Sequence, residues 1–362
     1  MADTLDKFTR TIKVFYEEIT NKLQGGKQGI DKLLFPTPDA DESASFSLDT
    51  LMVAPHGVVF RKRGEQSAVR PYEPGLGNIF EVPRASEKTP ISEELRDSVI
   101  AGIESTGAVS AHQARLLQQI IEQHVSAHTA TRWKLAIDVL RTGAFSPIGY
   151  NGLDIDADID FGRAGGCSVT YDFTGVGATI DTALKELVDA GKSKGLPYDN
   201  LVCIMGMDWV SAFEEASATQ DRMIVNTANV ILEQNLVAPE LLNTQGLYVI
   251  ARYRVPGTAR TVTLCAFSPT DQFIQYKGAA AADFFPATEA ILFSLSDRRY
   301  NVMRGVDALD DGGRIRRAVG EIVFDSFRGN DPVTEYIRSQ ARYAFIPANP
   351  NHMIRSVGTF AS

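Results

Sequence analysis

The stretch "RWKLAIDVLRTGAFSPIGYNGLDIDADIDFGR", from Arg132 to Arg163, contains a helix end, a turn and a strand in immediate succession. Apolar residues keep helical spacing up to Leu140, and Gly143 is the residue type that most readily ends a helix. Asn151-Gly152 is the strongest short signal for a β-hairpin. The stretch therefore predicts a long helix that ends at Gly143, followed by a hairpin whose second strand begins after Gly152.

Four aspartates recur at every second position of this second strand: Asp154, Asp156, Asp158 and Asp160. Apolar residues alternate with them: Leu153, Ile155, Ala157, Ile159 and Phe161. A calcium-binding loop would need glycine at its sixth position and glutamate at its twelfth, where this chain has Ile159 and Gly165. Successive aspartates on one face of a strand also stand about 7 Å apart, too far to share one ion unaided. The alternation favours a half-buried strand.

A long helix is predicted before Gly143. Ser110 followed by Gln113 fits a capping box, and a helix from Ser110 to Thr142 would be about 50 Å long. Its apolar stripe consists of Leu117, Ile120, Ile121, Val125, Ala136, Val139 and Leu140. This length is unusual for a compact domain and suits a strut.

His124 and His128 lie four residues apart on this helix and would share a face. The helical zinc-protease motif requires glutamate directly after the first histidine, and Val125 stands there. We interpret the pair as surface or interface residues, and we predict no metal site. The sequence contains no GxSxG motif, no P-loop and no recognisable Cys–His pairing, so no catalytic residues are predicted.

The region before this helix has a mixed character. Residues 4–23 carry apolar residues at helical spacing and predict an amphipathic helix. Residues 30–50 are mixed, and "PTPDADESAS" from Pro36 predicts an extended, mobile arm. Residues 51–91 combine many Pro and Gly residues with no pattern for a buried face. A loop of that length without its own core is usually functional or disordered. Pro90, preceded by Thr89 as a cap, is predicted to begin a further helix.

Residues 172–295 alternate between helix and strand patterns, as in one α/β domain. The predicted helices are residues 180–191, 207–217 and 219–235. The predicted strands are residues 200–206, 247–255, 261–268 and 289–295.

Gly175 and Gly177, in "TGVGATI", resemble the start of a dinucleotide-binding fingerprint. Ile180 stands where the third glycine belongs, and no acidic residue clearly ends a second strand about 20 residues further on. The interpretation we favour is a flexible turn into a helix. A soluble α/β enzyme that binds a nucleotide near Gly175 and Gly177 remains the alternative.

The composition is that of a globular protein, with 44% hydrophobic and 22% charged residues in a chain of 362. The net charge of −9 argues against a nucleic-acid reader, because phosphate binding requires clustered Lys and Arg. Three unclustered cysteines, Cys167, Cys203 and Cys265, predict reduced, buried thiols in a cytosolic setting. No segment has the pattern of a membrane span or of a signal peptide, so we expect a chain made and kept in a cytoplasm.

Two basic clusters stand out from the acidic background, and both lie on segments that are predicted to reach outward. They fit either a solvated face or a docking contact for an acidic partner surface, and we take them as candidate inter-subunit contacts, since exposed charge guides association more than folding. The clusters are Arg61, Lys62 and Arg63 in the loop, and Arg314, Arg316 and Arg317 near the C-terminus.

Five segments, taken in chain order, resemble those of a known family. They are "APHGVVFRKRGEQSAVRPYEPG" from Ala54, "RWKLAIDVLRTGAFSPIG" from Arg132, "IDFGR" from Ile159, "IMGMDWVSAFEE" from Ile204 and "ARYAFIPANPN" from Ala341. Their order and spacing resemble the major capsid proteins of tailed phages, most closely the lambda-type family called capsid protein E. Tyr72, in the aromatic-x-Pro-Gly turn of the first segment, joins the candidate inter-subunit contacts.

The resemblance implies an α+β fold, the tailed-phage major capsid fold. An N-terminal arm with an amphipathic helix would occupy residues 1–53, an extended loop residues 54–91, and a spine helix region of the peripheral domain residues 92–142. The strands of the peripheral domain would be residues 143–172 and 300–362, and the axial domain residues 173–299.

The function implied by the resemblance is structural and not enzymatic. Copies of the chain would self-assemble into hexamers and pentamers of an icosahedral shell, the phage virion, that encloses double-stranded DNA without sequence-specific binding. Expected partners are other copies of the chain, a scaffold and a portal during assembly in the host cytoplasm, and in some cases a decoration protein. No cofactor and no membrane are expected.

Overall fold

The structure, a computed structural model, describes most of the chain apart from the N-terminal region and several internal segments. The described residues are 30–43, 45–48, 78–91, 111–147, 158–216, 247–258, 260–267, 273–275, 281–283, 285–309, 315–330 and 333–360. The predicted helices within residues 4–23 and 219–235 lie outside them, as does most of the predicted extended loop.

The described residues form both helices and strands, as the predicted α+β class requires. The helices are α1 (Ile30–Leu34), α2 (Ala111–Thr142), α3 (Ile180–Ser193) and α4 (Met207–Glu215). The first strands are β1 (Thr37–Asp41), β2 (Ser45–Leu48), β3 (Asn78–Glu81), β4 (Arg84–Ile91), β5 (Ala144–Phe145), β6 (Ile159–Asp160), β7 (Ser168–Asp172), β8 (Leu201–Met205), β9 (Leu247–Val255) and β10 (Arg260–Phe267). They are followed by β11 (Phe273–Gln275), β12 (Ala281–Asp283), β13 (Glu289–Ser294), β14 (Arg299–Arg304), β15 (Val306–Leu309), β16 (Ile315–Ala318), β17 (Val323–Asn330), β18 (Val333–Pro347) and β19 (Ile354–Thr359).

The long helix predicted from the sequence is α2, whose 32 residues extend about 48 Å at 1.5 Å per residue. It ends where glycine predicted, because Gly143 adopts a φ of 75° and donates its N–H to the carbonyl of Val139 at 2.9 Å. The C-terminal part of the helix is the more deeply buried. Its fully buried apolar residues are Leu135, Ala136, Ile137, Val139 and Leu140.

A five-stranded sheet packs beside α2. Its strand order is β1-β14-β18-β17, and β4 pairs with β18 as well. Alternate residues of β18 point toward the helix, among them Ile337, Ser339 and Ala341, all of which are buried. The edge strand β1 is exposed along its whole length.

A six-stranded sheet has the order β7-β19-β13-β8-β10-β9. Strands β7, β19, β8 and β10 run in one direction, and β13 and β9 run against them. Both faces are covered, because Ile204 and Ile291 pack in the same core as α2, whereas Cys203 and Leu292 pack in a second core with α3 and α4. Every residue of β8 is therefore buried, as expected for a central strand covered on both faces.

Several predicted elements are confirmed. Helices α3 and α4 and strands β8, β9, β10 and β13 match their predicted segments to within two residues at either end. The half-buried strand is confirmed where it is described, since Ile159 and Phe161 are buried while Asp158 and Asp160 are exposed. Strands β5 and β6 pair antiparallel, with Phe145 opposite Ile159, as a hairpin around Gly152 requires.

One prediction is wrong: Pro90 does not begin a helix. Thr89 and Pro90 lie inside β4, opposite Ile337 and Tyr336 of β18. Among the described residues β4 pairs only with β18, and such an edge strand tolerates a proline that has no N–H to donate. Here long-range strand pairing overrides the local helix-start signals of Thr89 and Pro90.

The domain boundaries stay a prediction, but the sheets bear on them. Strands β7 and β19 fall in the segments assigned to the peripheral domain, yet they share one sheet with β8 and β13 from residues 173–299. Strand β4 falls within the segment assigned to the extended loop and belongs to the five-stranded sheet. Strands β2 and β3, in which Leu48 pairs with Asn78, lie directly before and after residues 49–77 in the sequence.

We predict that Gly143→Ala destabilises the protein more than Gly162→Ala. Both glycines have positive φ, which costs an L-residue about 1–2 kcal/mol. A Cβ at residue 143 would also lie 2.7 Å from the Cβ of Arg163, whereas nothing lies within 4 Å of one at residue 162. The added clash should cost a further ~1–3 kcal/mol in the free energy of unfolding, measured by denaturant titration. Equal losses for the two variants would contradict this packing.

Candidate functional site: the spine helix and the exposed hairpin beside it

Most of the predicted subunit contacts lie outside the described residues, namely Arg61, Lys62, Arg63, Tyr72 and Arg314. Their role as contacts therefore stays a prediction. Arg316 and Arg317 are described, and both lie on β16.

The β15–β16 hairpin displays these two arginines to solvent. Arg316 and Arg317 are exposed, and the neighbouring Ile315 is 76% exposed, unusually high for a large apolar side chain. Arg317 makes a loose ion pair with Asp307 across the hairpin, at 3.4 Å with both side chains about half exposed, and also donates to the carbonyl of Glu42 at 3.3 Å. Exposed pairs of this kind contribute little to stability. The hairpin thus displays charge and apolar surface to solvent at Ile315 and Arg316.

The base of this hairpin is held firmly. The N–H of Gly305 donates to the carbonyl of Ser43 at 3.2 Å, and any Cβ at residue 305 would lie 2.4 Å from the carbonyl oxygen of Glu42. Gln340 donates from its side-chain amide to the carbonyl of Asp307 at 3.1 Å. The hairpin therefore has a defined direction relative to the five-stranded sheet.

The "IDFGR" motif forms hydrogen bonds with the C-terminal end of α2, the predicted spine helix. Phe161 donates its N–H to the carbonyl of Gly143 at 3.1 Å. Arg163 donates to the carbonyl of Arg141 at 2.6 Å and to that of Cys167 at 2.8 Å. A cation at this end also complements the helix dipole.

Asp160 accepts the N–H of Gly162 at 2.9 Å, which gives this aspartate a turn-forming role. Asp154 and Asp156 lie outside the described residues.

A buried carboxylate joins the end of α2 to the six-stranded sheet. Glu289 on β13 is 5% exposed. It accepts from Nε of Arg355 on β19 at 2.9 Å and lies 3.1 Å from Nε of Arg141 on α2. Removing one member of a buried ionic group leaves an uncompensated charge, which is costly. The contact therefore fixes how the helix end meets the sheet.

A second buried ion pair joins α1 to the middle of α2. Arg132 and Asp31 are each 4% exposed, and their side chains approach to 2.6 Å. Glu321 lies 3.5 Å from the same guanidinium. The ring of Tyr343 lies 5.5 Å from Arg132, in cation–π geometry. These contacts hold α1 against α2.

The interpretation of His124 and His128 as surface or interface residues is wrong. They are 1% and 4% exposed and face the five-stranded sheet. Nδ1 of His124 and Nε2 of His128 lie 2.9 and 3.0 Å from the hydroxyl oxygen of Ser339, and Nε2 of His124 lies 2.7 Å from that of Thr89. Burial lowers the pKa of both imidazoles to about 4, with the charges of His124 and Arg132 adding to the effect at His128. Both histidines are therefore neutral near pH 7.

Several N–H groups between the "TGVGATI" turn and the start of α3 are hydrogen-bonded within the chain. The hydroxyl of Tyr171 accepts the N–H of Thr179, and the side chain of Thr179 accepts the N–H of Thr182 at the start of α3. Asp181 places a negative charge in the first turn of that helix. A phosphate needs free N–H groups and no opposing carboxylate at a helix N-terminus. The segment is a turn that leads into α3, as interpreted from the sequence.

The three cysteines are buried free thiols, as predicted. Burial raises the pKa of Cys265 to about 12 and raises that of Cys203 further, and the charge of Cys265 adds to the effect at Cys203. Thiols of this kind are poor nucleophiles.

None of the described helices is both long enough and apolar enough to cross a membrane.

Comparisons with known proteins identify the fold. No protein-family model matches the sequence, and no curated protein matches it. A crystal structure of a candidate capsid protein from a prophage of E. coli CFT073 covers 95% of this chain and 98% of its own, with a TM-score of 0.57 at 12% identity. A phage-related protein of Bordetella bronchiseptica and a protein of Mycobacterium phage Ogopogo are more distant, with TM-scores of 0.46 and 0.44 at 10% and 11% identity. They cover 94% and 92% of this chain, and 96% and 92% of their own.

The chain therefore has the fold of phage capsid proteins, and the fold class predicted from the sequence is confirmed. The likeness runs over nearly the whole length of both chains. The narrower resemblance to the lambda-type family stays a prediction.

We predict that Arg132→Gln costs about 3–5 kcal/mol in the free energy of unfolding, because it leaves Asp31 buried without its partner. Arg317→Gln is the matched control, since the exposed Arg317–Asp307 pair should contribute less than about 1 kcal/mol. Chemical denaturation of both variants measures the difference. Similar costs at the two positions would refute the anchoring role of Arg132.

Proposed function

We propose that this chain is the major capsid protein of a tailed phage, and that its copies assemble into hexamers and pentamers of an icosahedral shell around double-stranded DNA. The observation that carries the proposal is the whole-length likeness to the prophage capsid structure, at 95% and 98% coverage. The role is structural, and the proposal includes no catalytic activity and no cofactor.

Surfaces of the described chain support assembly. The β2–β3 and β15–β16 ribbons each form a two-stranded sheet of their own, outside the two large sheets. A two-stranded ribbon is at best marginally stable in water on its own, so a neighbour that covers the exposed strand β16 would stabilise the second ribbon. Ile315, Arg316 and Arg317 on the second ribbon offer an apolar centre with flanking charge, a composition suited to protein contacts.

The remaining parts of the proposal follow from the resemblance. Residues 49–77, with Arg61, Lys62, Arg63 and Tyr72, would extend from the β2–β3 ribbon across a neighbouring subunit. The peripheral and axial domains, the scaffold, portal and decoration partners, and assembly in the host cytoplasm belong to the same proposal. The net charge of −9 suits a container that encloses DNA without gripping it.

The alternative, a nucleotide-binding enzyme, receives no support from the turn at Gly175 and Gly177. The backbone N–H groups of Ala178, Thr179, Thr182 and Ala183 are already bonded within the chain. Asp181 would repel a phosphate there.

We expect the purified full-length protein to form hexamers, pentamers or closed shells. Size-exclusion chromatography with light scattering, followed by negative-stain electron microscopy, measures this directly. A monomer or dimer at every protein and salt concentration, with melting that responds to added nucleotide, would refute the proposal in favour of the enzyme.

A pair of variants tests the exposed hairpin within the same assay. Arg316→Gln with Arg317→Gln should reduce the yield of shells while leaving the melting temperature unchanged, because both side chains are exposed. Lys185→Gln with Lys192→Gln, on the exposed face of α3, removes the same charge and should leave assembly normal. Equal yields for the two double variants would exclude the hairpin as a contact.

A further inference from the structure

The spine helix α2 packs in two zones of different chemistry. In the C-terminal zone, residues 132–142, the buried face is mostly apolar and Arg132 is anchored by Asp31. In the N-terminal zone, residues 111–128, four side chains are buried among residues 114–128, for which exposure is described. They are Leu117, Ile121, His124 and His128. Half of this buried face is therefore imidazole, and its contact with the sheet depends on how the imidazoles are protonated.

The two imidazoles belong to one continuous hydrogen-bonded chain, Thr89–His124–Ser339–His128, which links β4, α2 and β18. With both histidines neutral, the chain is satisfied in either direction, because the hydroxyl of Ser339 donates to one ring and accepts from the other. One added proton can also be accommodated by hydrogen bonds. A second would leave both rings donating to Ser339, and the hydroxyl proton would lose its partner.

An added positive charge at this place has no compensating carboxylate. The nearest buried charge on α2 is Arg132, a like charge, and the carboxylates of Asp31 on α1 and Glu321 before β17 are engaged by Arg132. Phe324 of β17 stacks on His124 with the ring centres 6.0 Å apart. This aromatic contact covers the imidazole and excludes water.

The neighbouring strands add little to neutralise such a charge. On β4, Glu87 precedes Thr89 by two residues and is exposed, and Lys88 lies over the ring of Tyr336 on the opposite face of the sheet. On β17 and β18, Asp325 and Arg338 pair with each other, also on the face away from Ser339. The ion pairs formed by the described residues leave both imidazoles without an acidic partner.

Acid therefore favours separation of this zone from the sheet. In the packed state the pKa of each histidine is lowered to about 4, whereas a histidine released to water has its ordinary value of 6.5. The released state binds more protons between these values, so the packing is most stable above pH 6.5 and weakens as the pH falls toward 4.

We propose that the Thr89–His124–Ser339–His128 chain is a pH-sensitive contact, and that proton uptake there releases the N-terminal zone of α2 from the five-stranded sheet while the C-terminal zone stays packed. The inference concerns the folded chain and holds whether or not the protein forms a shell.

Hydrogen–deuterium exchange of the full-length protein, corrected for the intrinsic pH dependence of exchange, tests this. Between about pD 7 and about pD 5, peptides within residues 111–128 should lose protection by about tenfold or more, because two histidines titrate on release. Peptides within residues 132–142 should change by less than about twofold. Unchanged protection in the first zone, or an equal loss along the whole helix, would overturn the proposal.

Substitutions separate protonation from other effects of acid. His124→Gln with His128→Gln keeps polar side chains but cannot titrate, so protection of residues 111–128 should become independent of pH. His352→Gln, which removes the histidine paired with Asp297, should keep the wild-type response. An acid response that persists in the double glutamine variant would overturn the proposal. Should that variant fail to fold, the comparison of the two zones in the wild type remains decisive.

Discussion

The C-terminal part of α2, buried around most of its circumference, must pack against two sheets at once. A single apolar core contains residues of α1, the C-terminal part of α2, the five-stranded sheet and one face of the six-stranded sheet. Interiors of this kind are close-packed, so a shift of the helix would disturb every element that contacts it. The helix is thus the shared support through which the two sheets hold a fixed relation.

Buried charges make that relation specific. Hydrophobic burial is non-directional, whereas Arg132 with Asp31 and Arg141 with Glu289 each favour one arrangement of the helix against its neighbours. Such pairs contribute little net stability compared with apolar residues of similar size, but breaking one is costly. The N-terminal zone of α2 uses neutral imidazoles and hydroxyls in the same role, which makes that zone the most sensitive to pH.

The sequence predicts elements well where local periodicity decides them. The end of α2 at Gly143, the alternation around Ile159 and the strand at Leu247–Val255 all follow from short-range pattern. Pro90 was misjudged because pairing between β4 and β18 joins residues about 245 positions apart, which no local signal reports. The buried role of His124, His128 and Arg132 had a signal that was missed, since they continue the helical spacing of Leu117 and Ile121 toward Leu135 and Val139. The buried roles of Ser339 and Glu289 had no such signal in the sequence.

The described residues form a core that is complete within one chain. Under the proposed function, the ribbons β2–β3 and β15–β16 would contact other copies. The most direct test is a cryo-electron microscopy map of the purified, assembled protein at side-chain resolution. The account predicts closed shells in which residues 49–77 lie against a neighbouring subunit and α2 keeps its contacts with both sheets. A map of discrete, separate molecules with residues 49–77 packed on their own chain would contradict it.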